Sequence, residues 1–181
     1  MKSARQLARL RASRRVAGLA RLLPLLLACV LTCAHAKDPV APGGVEIGGE
    51  IVRHEHLTID EFAKLPHVHV HASAHGVDAD WDGVPLIEIL RAAGAPGGDT
   101  LRGPALALYV RISAADGYRV VFALAELDPS TGNAQAILAD RRDGKPLGAD
   151  DGPLRVIVPG DKRPARWVRQ VIAIDLLKAA D

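Results

Sequence analysis

The sequence predicts an α+β fold with mixed sheets and a few short helices, and three observations lead to that prediction. Short apolar runs rich in β-branched residues are separated by Asp-Gly turns at 82–83, 116–117, 143–144 and 151–152. Only two segments have the pattern of a helix, and both are short. Strands and helices do not alternate regularly, as they would in a doubly wound parallel sheet.

Two of the β-rich runs form the arms of a predicted hairpin. Residues 105–113 and 118–123 flank the turn at Asp116-Gly117, and both arms are rich in the residues that favour strands. Further strands are predicted over 134–139, 154–158 and 168–174.

The two helices are predicted from their first residues. Thr58 and Glu61 have the spacing of a capping box, which opens a helix that must stop at Pro66. Pro85 is suited to the first position of a second helix, which ends at Gly94.

The first 36 residues have the pattern of an export signal. They hold seven of the 23 basic residues and none of the 21 acidic ones, followed by an apolar run over 22–31 and the small-x-small sequence Ala34-His35-Ala36. The run is shorter than the roughly 20 residues that cross a bilayer, so we expect a cleaved signal and no transmembrane segment after its removal. An uncleaved amphipathic helix is the alternative.

The expected destination is the periplasm. Ser13-Arg14-Arg15 resembles the start of a twin-arginine signal, and the general secretory (Sec) route is the alternative. Residues 37–44 are predicted to be a Pro/Gly linker, and residues 45–181 a single domain.

Removal of the signal changes the charge and the cysteine content. The remaining 145 residues carry 16 basic and 21 acidic groups, so the formal charge changes from +2 to −5. This balance argues against a nucleic-acid partner. Both cysteines, Cys29 and Cys33, lie within the signal, which excludes a disulfide scaffold or a cysteine-ligated metal in the rest.

Six histidines fall between positions 54 and 75. On a strand, His67, His69 and His71 point to one face, and neighbouring members of such a row are about 6.6 Å apart. Two imidazoles at that spacing can share one Zn or Cu ion, so these three residues are candidate metal ligands. The alternative is a half-exposed strand whose polar face is histidine.

A group of basic residues near the end of the chain is a candidate site for an oxyanion or a phosphate. Its members are Arg155, Lys162, Arg163, Arg166 and Arg169. The alternative is a solvated loop balanced by Asp150, Asp151 and Asp161.

An ordered series of segments covers nearly the whole chain after the signal. They are 57–62 with 65–66, 81–86 with 89–90 and 93–94, 115–118, 138–139, 143–147, 152–160 and 165–168. Together they resemble the molybdopterin-binding domain of the sulfite oxidase family, in its short exported single-domain branch.

The resemblance implies an α+β fold with layered sheets and a molybdenum held by a pterin dithiolene. In that family a cysteine thiolate adds a metal ligand, and arginines bind the substrate oxyanion and the cofactor phosphate. Arg155 matches the family's Pro-Leu-Arg position, and Arg166-Trp167 matches its basic-Trp pair. The resemblance therefore implies a cofactor-binding role for Arg155, Arg166 and Trp167.

The sequence departs from the family where the thiolate belongs. Residues 67–80 are the corresponding stretch, and they contain no cysteine. Two functions follow as alternatives. One is an exported molybdopterin oxidoreductase with a different metal donor. The other is a non-catalytic periplasmic module that binds or senses a small molecule or oxyanion, docks on a membrane-bound partner, or holds Zn or Cu on its histidine strand.

Overall fold

The computed structural model describes residues 43–180. The export signal predicted over 1–36 lies outside the described residues, as does all but the end of the predicted linker. The ten strands are β1 Gly44–Gly49, β2 Glu55–Thr58, β3 Val68–Ala74, β4 Val77–Pro85, β5 Leu108–Ala114, β6 Arg119–Ala123, β7 Ile137–Arg142, β8 Lys145–Pro146, β9 Arg155–Ile157 and β10 Val171–Lys178. The three α-helices are α1 Ile59–Phe62, α2 Leu86–Ala92 and α3 Leu124–Leu127.

The first sheet has the order β2-β1-β10-β5-β6. Strand β10 pairs in parallel with β1 and antiparallel with β5, so this sheet is mixed. The hairpin predicted around Asp116-Gly117 is confirmed as β5 and β6, with Tyr109 opposite Ala123. Alternate residues of β5 point into the core, where Val110 and Ile112 are fully buried.

The second sheet has the order β3-β4-β7-β8, and β9 pairs with the first half of β7. All its pairings are antiparallel. A register shift between Asp82 and Gly83 bends β4 where it crosses β7. Gly83 is required there, because a Cβ atom would overlap the carbonyl oxygen of Leu138.

Helix α1 begins as predicted, α2 begins one residue after the predicted Pro85, and both end sooner than predicted. Thr58 and Glu61 form both hydrogen bonds of the capping box, and Pro85 precedes the first residue of α2. Helix α1 ends at Phe62, earlier than Pro66 alone would require, and α2 ends at Ala92. Among the described residues, no helix is long and apolar enough to cross a membrane. The α+β class is confirmed.

Candidate functional site

Trp81 is the centre of the candidate site. The burial pattern of β4 turns this side chain inward and leaves it only 2% exposed. Trp167 packs edge-on against it, with ring centroids 6.0 Å apart and an interplanar angle of 86°. The indole N–H of Trp167 donates to the carbonyl oxygen of Val158 at 3.0 Å, whereas the buried indole N–H of Trp81 meets no acceptor in the described chain.

Two arginines lie against the indole of Trp81. Arg142 is its register partner across β4 and β7, and Arg155 comes from β9 on the other side of β7. Each guanidinium carbon is 5.3 Å from the centroid of the Trp81 ring, within the range of a cation–π contact. We call Trp81, Trp167, Arg142 and Arg155 the arginine–tryptophan cluster.

The cluster has more positive charge than its carboxylates satisfy. Arg155 donates from Nη1 to Asp151 at 2.8 Å, and Nε of Arg142 is 3.5 Å from a carboxylate oxygen of Asp143 without forming a hydrogen bond. Burial lowers the pKa of Arg155; Asp151 opposes that shift, and the nearby Arg142 and Arg169 reinforce it.

Three donors around one ring therefore have no acceptor in the part of the chain that the structure describes. They are Nε1 of Trp81, Nε of Arg142 and Nε of Arg155, and all three are buried. An unsatisfied buried donor costs about 1–3 kcal/mol. An oxyanion is the ligand that such a set of N–H groups favours.

A separate cleft lies between the β3–β4 turn and the segment that precedes Trp167. Its volume is about 710 Å³. The lining residues are Ser73, His75, Gly76, Lys162, Arg163, Pro164 and Ala165. The cleft is thus basic and carries no carboxylate in its lining.

The predicted cofactor residues divide into two environments. Arg155 and Trp167 both contact Trp81, so they belong to one cluster. Arg166 instead donates to both carboxylate oxygens of Asp161, at 2.9 and 2.6 Å, and to Glu126 at 2.9 Å. The hydrogen bonds to Asp161 raise the pKa of Arg166 further above its ordinary value.

The predicted histidine face is partly formed. His69 and His71 lie on the exposed face of β3, where they bond to Asp82 at 2.9 Å and to Asp80 at 2.8 Å on β4. These hydrogen bonds raise the pKa of both imidazoles. Within residues 43–180, no group of three or more histidine, cysteine or acidic side chains is arranged to hold a metal ion.

His67 stands apart from the other two because it precedes β3. Its Nδ1 is 2.7 Å from the carbonyl oxygen of Leu65, and its ring meets Phe62 edge-on. Its Nε2 is 3.3 Å from Asp140, although neither atom forms a hydrogen bond. His69 and His71 share one carboxylate, because Nε2 of His69 is 3.6 Å from the Asp80 oxygen that Nδ1 of His71 contacts. His67 instead faces Asp140.

Arg142 is the site residue that sequence reasoning missed. It follows Arg141 and precedes the turn at Asp143-Gly144, which makes it resemble an ordinary solvated residue at a strand end. Only the register of β4 against β7, with its shift after Asp82, brings it to Trp81.

Comparison with known proteins decides the family. The family model described as the oxidoreductase molybdopterin binding domain matches residues 44–180. The chain belongs to this family. The membership and the sulfite oxidase-type fold predicted from the sequence are thereby confirmed.

A solved structure is similar to this domain of the molybdopterin-binding family. It is that of the sulfane dehydrogenase SoxCD from Paracoccus pantotrophus, with a TM-score of 0.62 and 16% sequence identity. The match covers 76% of this chain and 39% of that one, so the chain spans well under half the length of its relative. At this identity the likeness extends to the fold. No curated protein matches the sequence significantly.

The family implies molybdopterin, and the described residues fit that group only in part. The arginine–tryptophan cluster suits an anionic phosphate. The stretch 67–80, where the resemblance places a thiolate, forms the hairpin β3–β4, which is paired without interruption from Val68 opposite Gly83 to Ala74 opposite Val77. Of the residues in this stretch, only Ser73, His75 and Gly76 line the cleft beside the β3–β4 turn. Hydroxyl and imidazole groups do not replace a soft thiolate, so these residues do not fit the metal end of the cofactor.

Proposed function

We propose that this protein is an exported, non-redox binding module built on the molybdopterin-binding fold. The arginine–tryptophan cluster holds the anionic part of its ligand, a tetrahedral oxyanion such as sulfate. The ligand is a small molecule. An exported location would allow the module, with its ligand bound, to dock on a membrane-bound partner.

One observation carries this proposal: the three buried donors of Trp81, Arg142 and Arg155 have no acceptor among the described residues. An oxyanion in contact with these donors would accept their hydrogen bonds and reduce the repulsion between the like charges of Arg142 and Arg155. Hydrogen bonds to a charged group contribute about 1.5–3 kcal/mol each, so one or two new bonds give measurable affinity.

The second candidate is a molybdopterin oxidoreductase, and family membership favours it. The absence of cysteine from residues 43–180 and the uninterrupted β3–β4 hairpin count against it. A Zn or Cu site at His67, His69 and His71 has less support. His67 lies outside β3 beside Asp140, and no group of three or more ligand side chains is arranged to hold a metal ion within residues 43–180.

The proposed location rests on the sequence of residues 1–36. An arginine-rich start, an apolar run and Ala34-His35-Ala36 suit signal cleavage before Lys37. A module without a cofactor inserted in the cytoplasm does not need folded export, so either the Sec or the twin-arginine route would serve. N-terminal sequencing of the exported protein should begin at Lys37, and a start at Met1 would contradict export with cleavage.

Elemental analysis of protein from the exported fraction separates the two candidates. The host must also be shown to fill another molybdoenzyme under the same conditions. We expect neither molybdenum nor oxidised-pterin fluorescence. Stoichiometric amounts of both would make the protein an oxidoreductase with an unusual ligand set, and zinc or copper instead would point to the histidine strand.

Calorimetric titration with sulfate tests the cluster itself. We expect one saturable site whose affinity falls about tenfold or more in Arg155→Gln, since a charge-assisted hydrogen bond is lost. Arg119→Gln is the matched control, because Arg119 is an exposed arginine on β6 outside the cluster. Equal loss in both variants would indicate only a general charge effect and would reject the site.

A further inference from the structure

The five-residue strand β6 is an open edge of the first sheet. Within residues 43–180 it pairs with β5 on one side and with no strand on the other. An unpaired edge offers its backbone N–H and C=O groups to another strand, and proteins commonly protect such edges by short strands, charged side chains or proline. The degree of protection on β6 therefore decides whether a partner can pair with it.

The other edge strands carry that protection, whereas β6 carries little. Strand β3 bears the exposed His69 and His71, and β8 consists of two residues, one of them Pro146. Strand β2 has four residues, two of which are glutamate and histidine. On β6 the one charge is at the first residue, Arg119, and the central Val121 is 55% exposed. Strand β6 is thus the least protected edge among the described strands.

The hydrogen bonds of the β5–β6 hairpin indicate which groups face the open side. The N–H of Ala114 donates to the carbonyl oxygen of Tyr118 at 2.9 Å, one position before Arg119 begins the ladder. Opposite residues of an antiparallel ladder alternate between hydrogen-bonded and non-hydrogen-bonded pairs. On β6 the non-hydrogen-bonded members are therefore Arg119, Val121 and Ala123. Their N–H and C=O groups point away from β5, and no described residue bonds to them there.

A second copy of β6 fits this edge in one register. With Val121 on a twofold axis, all five residues are paired, because Val121 lies opposite its own counterpart and Arg119 lies opposite Ala123 of the second copy. Each pair of residues with open backbone groups then exchanges two N–H···O bonds. The side chains of these residues stay on the exposed face, while Phe122 keeps its place in the core. Any shifted register leaves part of the strand unpaired.

The same register keeps the charges apart. The two Arg119 side chains lie at opposite ends of the paired segment, about 14 Å apart along the strands at roughly 3.4 Å per residue. That distance exceeds the screening length of about 8–10 Å at physiological salt. The two exposed Val121 side chains meet at the centre as a cross-strand apolar pair. The edge thus offers a second copy matching hydrogen-bonding groups, an apolar centre and no opposing like charges.

We propose that β6 pairs antiparallel with β6 of a second copy across a twofold axis at Val121, which joins the two first sheets into one continuous sheet. The strand is self-complementary in this register, as a twofold interface requires. A five-residue pairing covers much less than the roughly 800 Å² per partner of a standard stable interface. The dimer is therefore weak, with a dissociation constant in the micromolar range or above. Its formation does not depend on an anion at the arginine–tryptophan cluster.

Sedimentation equilibrium of protein from the exported fraction, over a range of concentrations, measures the association. We expect a monomer–dimer equilibrium whose dissociation constant rises about tenfold or more in Val121→Lys, because two lysines would meet at the axis. Val77→Lys is the matched control, since Val77 is also 55% exposed but lies at the start of β4. This control should dimerise like the parent. Arg155→Gln should do so too, which separates the dimer from the proposed anion site.

Amide hydrogen exchange of the unsubstituted protein tests the location of the interface. Protection of the Val121 N–H should increase with protein concentration, whereas protection of the edge strand β3 should not change. A monomer at every concentration, equal weakening in the two lysine variants, or a dimer without protection of Val121 would overturn the proposal. So would protection of Val121 that is independent of concentration, because the edge would then be covered within a single chain.

Discussion

Arg142 and Arg155 lie against the same indole ring, with each guanidinium carbon 5.3 Å from the centroid of Trp81. Cation–π attraction to the ring offsets part of the cost of holding two like charges there, by about 0.5–2 kcal/mol for each contact according to how far it is desolvated. The buried Nε atoms of both arginines remain without an acceptor in the described chain. Under the proposed function, a bound anion would supply the acceptors that these atoms lack.

Arg142→Met should therefore separate stability from binding. We expect the free energy of unfolding without sulfate to be no lower than that of the parent. The substitution removes an unsatisfied buried donor, which costs about 1–3 kcal/mol, and that gain offsets the lost cation–π contact. The stabilisation by sulfate should disappear. Urea unfolding in sulfate and in chloride at equal ionic strength measures both, and a less stable variant that still responds to sulfate would contradict the prediction.

Local patterns were enough to predict the α+β class and much of its detail. The capping box at Thr58 and the hairpin at Asp116-Gly117 depend on residues close in sequence, so both were predictable. Strand β7 begins at Ile137, later than its apolar run, because Ala134 and Gln135 belong to the irregular segment after α3. Strand ends of this kind depend on tertiary pairing.

The site was less predictable, because it depends on register between distant strands. The alternation of β3 predicted a shared face for His69 and His71, but not their acceptors Asp82 and Asp80 on β4. The basic residues near the end of the chain were grouped by sequence proximity. In three dimensions Arg155 faces Trp81, whereas Arg166 faces Asp161.

Asp128 should be a main support of the fold. Its fully buried carboxylate accepts hydrogen bonds from Arg91, from the backbone N–H of Gly98 and from both the backbone and the hydroxyl of Ser130. Removal of one partner from a buried charged network costs about 3–5 kcal/mol. We expect Asp128→Ala to lower the free energy of unfolding by about that amount in urea titrations.

The carboxylate of Asp128 should also make the free energy of unfolding depend on pH in the acid range. The hydrogen bond from Ser130 is the largest of several contacts that hold the pKa of Asp128 well below its ordinary value. Its contribution is therefore fully present above the unfolded pKa of about 3.9, and it is lost as pH falls toward the folded pKa. The decrease in the free energy of unfolding at acid pH should be smaller in Asp128→Asn than in the parent. It should be unchanged in the control Asp99→Asn, because Asp99 is exposed. A decrease in Asp128→Asn equal to that of the parent would contradict this role.

His69 and His71 should titrate above the ordinary histidine pKa. Hydrogen bonds to Asp82 and Asp80, respectively, are the largest cause of the raised pKa values. Because the folded pKa is raised, any stabilisation is complete below about pH 6.5 and is lost as pH rises through the folded pKa. NMR titration of the imidazole protons should show the His71 pKa fall in Asp80→Asn and stay constant in Asp60→Asn. A His71 pKa insensitive to Asp80 would reject the pairing.

Arg155 and Arg166 should give opposite results when each is changed to glutamine. Arg166 fills its donors with Asp161 and Glu126, and its guanidinium carbon lies 4.4 Å from the centroid of the Phe122 ring. Arg166→Gln should therefore lower the free energy of unfolding by about 1–3 kcal/mol and leave the sulfate affinity of the folded protein unchanged. Arg155→Gln should reduce that affinity with a smaller loss of stability, because the Nε atom of Arg155 in the parent protein is a buried donor without an acceptor among the described residues.

Paired urea unfolding and calorimetry on the two variants measure both quantities. Loss of sulfate affinity in Arg166→Gln at a temperature where it is fully folded would place Arg166 in the binding site, as the family resemblance implies.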